Sequence, residues 1–475
     1  MQSLRHCKWC LQWMNAVEKQ AHTGSHRLYT SSARRSVLRQ DVSQIPKHRF
    51  PTAKPGDARV YVWGLAATGA LGVQTSRKKQ AHVYTDFVQH PSRLSFAESH
   101  SITDVAAGYG FSVYAVNDTR GASLWGTGIN TDGQLGFQKA PGQHKKPLEL
   151  LIYPAPIELA PIASGDDAAQ EGTEHGVNKA RQQIRQVAAG RAHVLALAND
   201  GSVFAFGNNA YGQCGRRIVP GEDYFRNPVV NTIDTGPGDP VRHVECGQDH
   251  SLLLTEAGRV FSCGWSDDGQ AGQGRYGLID TVGPAEGDIK GEKIVKVSSS
   301  CDTVLAINDK GELFGWGNSE YGQLGEVAED NPQINVPSFL TFAKNCGKIV
   351  DVAAAGSYCL ILNENGDVFS WGYGILGFGP EVQHRPTPTL ILPSLFGRNA
   401  FSPNVRVLAL SCGITHSAAV NDQHDLYTWG HNRYACLGLG HKNDQFFPLK
   451  VALNAKVLKV SCGVDHTVAL CKAFV

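Results

Sequence analysis

A recurring pair of glycines is the feature of this sequence that most limits its fold. Seven short apolar segments end in glycine, five of them directly after Trp, and a second glycine follows each. This second glycine comes eight residues later in five copies, ten in one and five in another. Intervals of 62, 81, 57, 53, 55 and 58 residues separate the first glycines, which are Gly64, Gly126, Gly207, Gly264, Gly317, Gly372 and Gly430. Self-similarity at such a period predicts a repeat protein in which each repeat is one structural unit.

A second motif precedes most of these units and completes one repeat. It is a short apolar segment ending in Ala-Gly, Cys-Gly or Ser-Ser, followed by another apolar segment and a turn such as Asp200-Gly201 or Lys310-Gly311. Glycine in these turns supplies the positive φ of a two-residue hairpin connection. Strands that are apolar on both faces, such as residues 203–206, must be covered on both sides. Short sheets of this kind bury their faces by radial stacking, so the sequence predicts an all-β, seven-bladed β-propeller.

The order of the motifs at the two ends predicts how the ring closes. The first Trp-Gly unit, residues 60–64, has no Cys-Gly unit before it, and the last Cys-Gly unit, residues 460–470, has no Trp-Gly unit after it. Seven complete blades therefore require the C-terminal strands to pair with the N-terminal ones. We expect one blade to be shared between the two ends of residues 58–475.

Four segments carry a resemblance to a known family. Residues 246–251, 412–417 and 462–467 share a Cys-Gly-x-x-His pattern, and residues 316–325 read Trp-Gly-Asn-Ser-Glu-Tyr-Gly-Gln-Leu-Gly. Together they resemble the regulator of chromosome condensation repeat, whose members form seven-bladed propellers, and within that family the chain is most similar to the mitochondrial branch. The resemblance covers roughly residues 58–475.

The N-terminal segment differs from the rest of the chain in charge. Residues 1–50 contain nine Lys or Arg and two acids, a balance of +7, so the remainder of this +1 chain carries 1 − 7 = −6. An Arg- and Ser-bearing, acid-poor start predicts a mitochondrial presequence over residues 1–40, followed by a linker over 41–57. The alternative is a disordered basic arm that binds nucleic acid or directs nuclear import. With no apolar run near ~18 residues, membrane association would be peripheral, in the matrix or on the matrix face of the inner membrane.

Apparent catalytic, metal and cofactor motifs are better explained by the repeat. Four of the twelve Cys, Cys246, Cys263, Cys412 and Cys462, lie at repeat positions where other copies have Ala, Ser or Trp, which favours buried thiols in a reducing compartment. The dinucleotide-like stretch at residues 372–377 runs into prolines, so no helix follows it to bind a pyrophosphate. We therefore predict a protein without a metal site, a cofactor or side-chain catalysis.

The family resemblance implies where a partner would bind. In the chromosomal member, an acidic residue and a His in a Gly-x-Asp-His turn are implicated in nucleotide exchange on a small GTPase. The positions that match, fully or in part, are Asp249, His250, Asp465, His466, Asp302, Arg191, His193 and His416. On the alternative interpretation, the Asp residues fix the turns through backbone bonds, and the four His are core or turn residues that hydrogen-bond the backbone.

An insertion over residues 137–186 accounts for the longest interval and is the second candidate contact region. It begins with basic residues, continues through a mostly apolar part at residues 147–161, and becomes Gly-, Ala- and acid-rich. The last part has the composition of a solvated loop. In the chromosomal relative an insertion forms a wedge against the GTPase, which the apolar part could match here.

Three classes of function follow from these observations. The first is a mitochondrial interaction platform, because the resemblance implies roles in large-subunit ribosomal RNA assembly together with nucleotide exchange. The second is a dedicated exchange factor for a dynamin-like fusion GTPase, and the third is an RNA-binding scaffold. The balance of −6 argues against a strong phosphate-driven contact. We expect a monomer with a protein partner, either a GTPase or ribosome assembly factors, and no DNA partner.

Overall fold

The computed structural model describes residue 40 and residues 58–73, 86–118, 121–139, 147–159, 182–236 and 238–472. Within these residues, 28 strands form seven four-stranded antiparallel sheets, which confirms the seven-bladed propeller. The predicted presequence and linker lie outside the described residues, apart from Gln40. No helix in the described ranges has the length and apolar character needed to cross a bilayer.

Each blade runs from a first strand at the central channel to a fourth strand at the periphery. The chain starts with β1 (Ala58–Leu65) and β2 (Phe87–Arg93), which belong to the last blade. Blade 1 contains β3 (Ile102–Ala107), β4 (Phe111–Val116), β5 (Leu124–Ile129) and β6 (Leu150–Pro156), and blade 2 contains β7 (Ile184–Ala189), β8 (His193–Ala198), β9 (Val203–Gly207) and β10 (Asn231–Ile233). Blade 3 contains β11 (Val241–Cys246), β12 (His250–Thr255), β13 (Val260–Trp265) and β14 (Leu278–Pro284).

The remaining blades follow the same order. Blade 4 contains β15 (Ile294–Ser298), β16 (Thr303–Asn308), β17 (Leu313–Asn318) and β18 (Gln333–Phe339), and blade 5 contains β19 (Ile349–Ala354), β20 (Tyr358–Asn363), β21 (Val368–Tyr373) and β22 (His384–Leu390). Blade 6 contains β23 (Val407–Cys412), β24 (His416–Asn421), β25 (Leu426–Gly430) and β26 (Gln445–Lys450), followed by β27 (Lys456–Cys462) and β28 (His466–Lys472). Short 3-10 segments occupy Ser95–Glu98, Gly287–Ile289, Gly325–Ala328, Thr341–Cys346 and Pro393–Phe396.

Blade 7 joins the two ends of the propeller. Its strand order is β2-β1-β28-β27, and β1 pairs with β28 from Ala58 opposite Lys472 to Gly64 opposite His466. The predicted closure of the ring by terminal strands is therefore confirmed. Trp63 adds a buried bond from its indole Nε1 to the Cys436 carbonyl in blade 6, at 2.7 Å.

The two glycines of the repeat have separate packing roles. The first lies where the third strand passes close to the second: Gly264 has φ +112°, and a Cβ there would lie 2.7 Å from the His250 Cα. The second glycine makes room for the Trp of the next blade, since a Cβ on Gly272 would lie 2.9 Å from Trp316 Nε1. That indole nitrogen donates to the Gln270 carbonyl at 2.8 Å. The repeated Trp and the second glycine thus form one contact between blades.

The predicted insertion over residues 137–186 must be corrected in its bounds. Leu150–Pro156 is the outer strand β6 of blade 1, and Ile184 already begins the first strand of blade 2. Leu151, Tyr153 and Ile157 are buried in the core. The apolar part that begins at residue 147 is apolar because it packs inside the propeller, and not because it forms a wedge against a partner.

Candidate functional site

One face of the propeller carries the turns between first and second strands and the loops between third and fourth strands. We call it the turn face. The predicted candidates Arg191, Asp249 and Asp302 lie in three consecutive turns of blades 2, 3 and 4 on this face. The turns touch through their backbones, because the Arg191 N–H donates to the Gln248 carbonyl at 2.9 Å.

Arg191 and Asp249 form an ion pair between blades 2 and 3. Arg191 Nε donates to Asp249 Oδ1 at 3.1 Å and its NH2 group lies 2.9 Å from Oδ2, a two-point contact that fixes both side chains. The guanidinium also lies 5.7 Å from the centroid of the Tyr211 ring. Burial raises the pKa of Asp249 to about 6, while Arg191 opposes that rise and nearby Asp132 adds to it.

Three further carboxylates on this face are each held by a side-chain amide. Asn208 of blade 2 donates to Asp132 of blade 1 at 2.8 Å. Gln270 donates to Asp302 of blade 4 at 2.9 Å, and Gln333 donates to Asp268 of blade 3 at 2.6 Å. We call Asp132, Asp249, Asp268 and Asp302 the acidic rim. Its members come from blades 1, 3 and 4, and each donor reaches across a blade junction from blade 2, 3 or 4.

The four predicted His residues do not belong to this surface. Each is 0 % exposed, so none can contact a partner while the blades are folded. His416 Nε2 bonds Thr467 Oγ1 of blade 7 at 3.1 Å, and His466 Nε2 bonds Ser112 Oγ of blade 1 at 2.8 Å. The assignment of His193, His250, His416 and His466 to partner binding is therefore wrong. The core interpretation is correct in location, but these two bonds go to hydroxyl groups of the next blade and not to the backbone.

Burial also fixes the charge of three of these His residues. The cost of desolvating the cation lowers the pKa of His193, His250 and His416 to about 3. They are therefore neutral in the folded protein at physiological pH. Neutral imidazoles between blades act as packing groups with a polar edge.

Asp465 is likewise removed from the surface. It is 0 % exposed, and its Oδ1 lies 2.8 Å from His466 Nδ1. This contact orients the ring so that Nε2 reaches Ser112 in blade 1. Asp465 is therefore a positioning residue of the closing blade, and the prediction that it binds a partner is wrong.

Sequence reasoning missed Asp132, Asp268 and Tyr211, because these residues lie in the loops between third and fourth strands. The predicted candidates came from the turns between first and second strands, where the Asp-His pattern recurs. The signal that could have found the others is the glycine three residues before the second glycine of the repeat. Tyr211 directly precedes Gly212, and Asp132 directly precedes Gly133.

The described residues contain no group of three His, Cys, Asp or Glu placed to hold a metal ion. The ten cysteines in these ranges are buried free thiols. Burial raises the pKa of Cys263 and Cys462 to about 12, which keeps both as unreactive thiols. The chemistry available at the acidic rim is therefore that of oriented carboxylates, one of which is paired with the Arg191 guanidinium.

Comparisons with known proteins agree with this architecture. The profile of the RCC1-like domain matches residues 221–473, and profiles of the regulator of chromosome condensation (RCC1) repeat match residues 57–115 and 184–213. The mouse (Mus musculus) RCC1-like G exchanging factor-like protein is 38% identical over 460 residues, which cover 94% of this chain and 96% of the mouse chain.

Two solved structures extend the comparison. The crystal structure of human WBSCR16 has a TM-score of 0.78 and 38% identity, and the match covers 88% of this chain and 100% of the human chain. Prp20p from Saccharomyces cerevisiae, which was described with its binding properties to Gsp1p and histones, has a TM-score of 0.66 and 21% identity, covering 90% of this chain and 94% of that one. At that identity the yeast protein supports the fold alone.

Proposed function

This chain belongs to the regulator of chromosome condensation (RCC1) family, and on this premise we propose that it is a guanine-nucleotide exchange factor that acts through the turn face. The observation that carries the proposal is the acidic rim, in which four carboxylates of blades 1, 3 and 4 are oriented by donors from neighbouring blades. The names of the mouse relative and the partner of the yeast protein point to the same class of partner.

The mechanism we propose is displacement without covalent chemistry. A nucleotide-binding GTPase holds the phosphates with a Lys and a Mg²⁺ ion. Carboxylates are hard oxygen ligands that compete with phosphate for both cations. Held carboxylates lose little conformational entropy on binding, so a rim oriented by Asn208, Gln270 and Gln333 competes better than mobile side chains would.

The test is release of a fluorescent GDP analogue from a purified GTPase, with the dynamin-like mitochondrial fusion GTPase as the first substrate. The double variant Asp132→Asn/Asp302→Asn should slow the accelerated release by about tenfold or more, because it removes two of the competing charges. Glu256→Gln, which changes an exposed acid on the other face, is the matched control and should retain full activity. Equal activity of the double variant and the control, with unchanged thermal melting, would exclude the rim as the exchange surface.

We also propose that the protein works in mitochondria and supports assembly of the large ribosomal subunit. This proposal is supported by the +7 balance of residues 1–50 and by the motif resemblance to the mitochondrial branch. A fluorescent fusion to residues 1–40 should enter mitochondria, whereas nuclear accumulation would reject the location. Co-sedimentation with large-subunit precursors tests the ribosomal role, and a salt-sensitive shift of labelled RNA would favour direct RNA binding over protein partners.

A further inference from the structure

The face opposite the acidic rim is where the first strands begin, and it has a pattern of its own around the channel. Two positions on each blade lie at the start of the first strand: the residue before the buried apolar residue that begins the strand, and the residue after it. On blades 4–7 the residue before the apolar start is basic and exposed in every case: Lys293, Lys348, Arg406 and Lys456. The residue after the apolar start is itself apolar in these four blades: Val295, Val350, Leu408 and Leu458. We call these eight residues the basic-apolar crescent.

Blades 1–3 differ at the same two positions. The residue before the apolar start is not charged in any of them, and the residue after it is Arg185 in blade 2 and Arg242 in blade 3. These guanidiniums are oriented by the next blade, since Arg185 donates to the Val241 carbonyl at 2.9 Å and Arg242 to the Val295 carbonyl at 2.6 Å. Across all seven blades, neither position holds an acid. These positions are thus basic on blades 2–7, uncharged on blade 1, and apolar at the second position on blades 4–7.

The crescent is held in place by one backbone contact that recurs on all four blades. The N–H of the apolar start donates to a turn carbonyl of the preceding blade: Ile294 to Gly258, Ile349 to Gly311, Val407 to Gly366 and Val457 to His424, at 3.1–3.4 Å. The aliphatic stem of Lys348 also packs across Gly311. Because the backbone is fixed, the cations and apolar side chains keep their spacing without a partner.

The apolar side chains are exposed to an unusual degree. Val350 is 45 %, Leu408 53 % and Leu458 50 % exposed. They occupy one strand position on consecutive blades, so they form a row and not scattered single residues. Within the described residues, none of Lys293, Lys348, Arg406 and Lys456 has an ion-pair partner.

The depth of the two rows decides what kind of partner fits. Each apolar residue lies at a β-bulge of its first strand, two positions further along the strand than the basic residue, so the apolar row lies deeper in the opening than the basic row. A flat lipid surface would meet the cations before it reached the apolar row. The channel behind the row has a cavity volume of about 270 Å³. An extended peptide can place side chains at both depths.

The next layer of the channel forms a floor. Lys296 pairs with Asp351, and Lys459 lies 2.5 Å from Asp104 of the neighbouring blade. Asp309, Glu364 and Asp422 begin turns on the radially outer side of the crescent and would repel acids placed there. A bound acidic segment is therefore confined to the opening itself.

We propose that the basic-apolar crescent binds an extended acidic segment of a protein partner, with bulky apolar residues between its acids. The carboxylates pair with Lys348, Arg406 and Lys456, and the apolar side chains pack against Val350, Leu408 and Leu458. This site lies on the face away from the acidic rim. It would let the propeller hold a second protein while the turn face engages a GTPase, and it does not depend on exchange activity.

The test uses a fluorescein-labelled ten-residue peptide that alternates aspartate with leucine, measured by fluorescence anisotropy on the full-length protein. We expect saturable binding that weakens with salt. The charge reversal Lys348→Glu/Arg406→Glu and the polar change Leu408→Ser/Leu458→Ser should each weaken it about tenfold or more. Arg217→Glu reverses an exposed cation on the turn face and is the matched control, with affinity expected within about twofold of the wild type.

Two matched peptides and one vesicle complete the experiment. Peptides with serine for leucine or asparagine for aspartate should bind much more weakly than the parent. Absence of binding, or equal binding by the charge-reversal variant and the Arg217 control, overturns the proposal. Crescent-dependent capture by phosphatidylcholine–cardiolipin vesicles without peptide binding would replace the peptide with a membrane surface, and crescent-dependent binding of a single-stranded RNA alone would replace it with RNA.

Discussion

The junction between blades 7 and 1 and the junction between blades 3 and 4 use the same repeat position for different contacts. In the first, His466 reaches Ser112 and is oriented by Asp465. In the second, the equivalent His250 has Val304 at the equivalent position of the next blade, and both its ring nitrogens are buried without a hydrogen-bonding partner among the described residues. The repeat therefore fixes where the His lies, whereas the next blade decides whether the His stabilises the ring.

The difference follows from the two residues at each junction. The residue after the His position is Ser112, Ser417 or Thr467 in three blades, and each of these accepts or donates a bond to the ring or phenol of the preceding blade. It is Val194 in blade 2, and the preceding blade there presents Phe111. Polar faces polar and apolar faces apolar at these four junctions. His250 opposite Val304 departs from that rule, and His193 makes no bond to Ser251 of blade 3, because the Ser251 hydroxyl donates to the Gln213 carbonyl at 2.7 Å.

The largest effect should come from breaking the closing blade altogether. Removal of residues 460–475 deletes the last three residues of β27 and all of β28, so β1 loses its inner neighbour in blade 7. Because blades bury their faces against one another, an open ring exposes apolar surface on blades 1 and 6. We expect loss of cooperative unfolding in thermal and urea melts. A single unchanged transition would show that the closing blade is dispensable.

A smaller but still severe effect should follow from changing the polar contact inside that blade. His466→Phe leaves the buried Asp465 side chain without its imidazole partner, and a buried polar group that loses its hydrogen-bond partner costs about 1–3 kcal/mol, or more when it is charged. Urea denaturation of the full chain measures this free energy of unfolding. The double variant Asp465→Val/His466→Phe removes the stranded carboxylate as well and should recover part of the loss, whereas an additive loss would contradict the coupling.

Acid should weaken the ring through the His residues that burial keeps neutral. The pKa of His193, His250 and His416 is about 3 in the fold, below the unfolded value near 6.5, so the unfolded chain binds more protons as pH falls. Stability is complete above about pH 6.5 and decreases below it, by about 1.4 kcal/mol per pH unit for each His.

One carboxyl opposes this acid sensitivity. The pKa of Asp249 is raised to about 6, so its protonation favours the folded state as pH falls from about 6 towards 4. Because one Asp opposes three His, acidification still lowers the free energy of unfolding. Urea midpoints at pH 7.5, 6.5 and 5.5 measure the slope, and a midpoint that stays constant or rises on acidification would contradict neutral buried imidazoles.

The repeat made most of the fold predictable, and specific residues show where prediction stopped. Trp63, Trp316 and the glycines that follow them recur at nearly regular intervals in the sequence, and the motif that is missing at each end predicted the closure of the ring. Asp465 could not be placed, because its Asp-His pattern is identical to that of Asp249 in sequence. Arg191 in the preceding turn keeps Asp249 near the surface, whereas the turn preceding Asp465 contains Ile414 in place of an arginine. Asp132 and Asp268 lie in loops whose contacts come from neighbouring blades, and a single repeat does not encode those contacts.

The smallest change in stability should come from the mismatched junction, and it sharpens the comparison most. His250→Phe places at the blade 3–4 junction the pair that blades 1 and 2 already use, Phe111 against Val194. The variant removes two unpartnered buried nitrogens and adds apolar surface next to Val304, although the larger ring must fit a close-packed site. We expect the free energy of unfolding at pH 7.5 to stay within about 1 kcal/mol of the wild type or to rise. The decrease in the free energy of unfolding on acidification should also be smaller by the contribution of one His, because Phe does not titrate. A loss as large as that of His466→Phe would mean that His250 has a polar partner after all, and that its junction stabilises the ring in the same way as the closing blade.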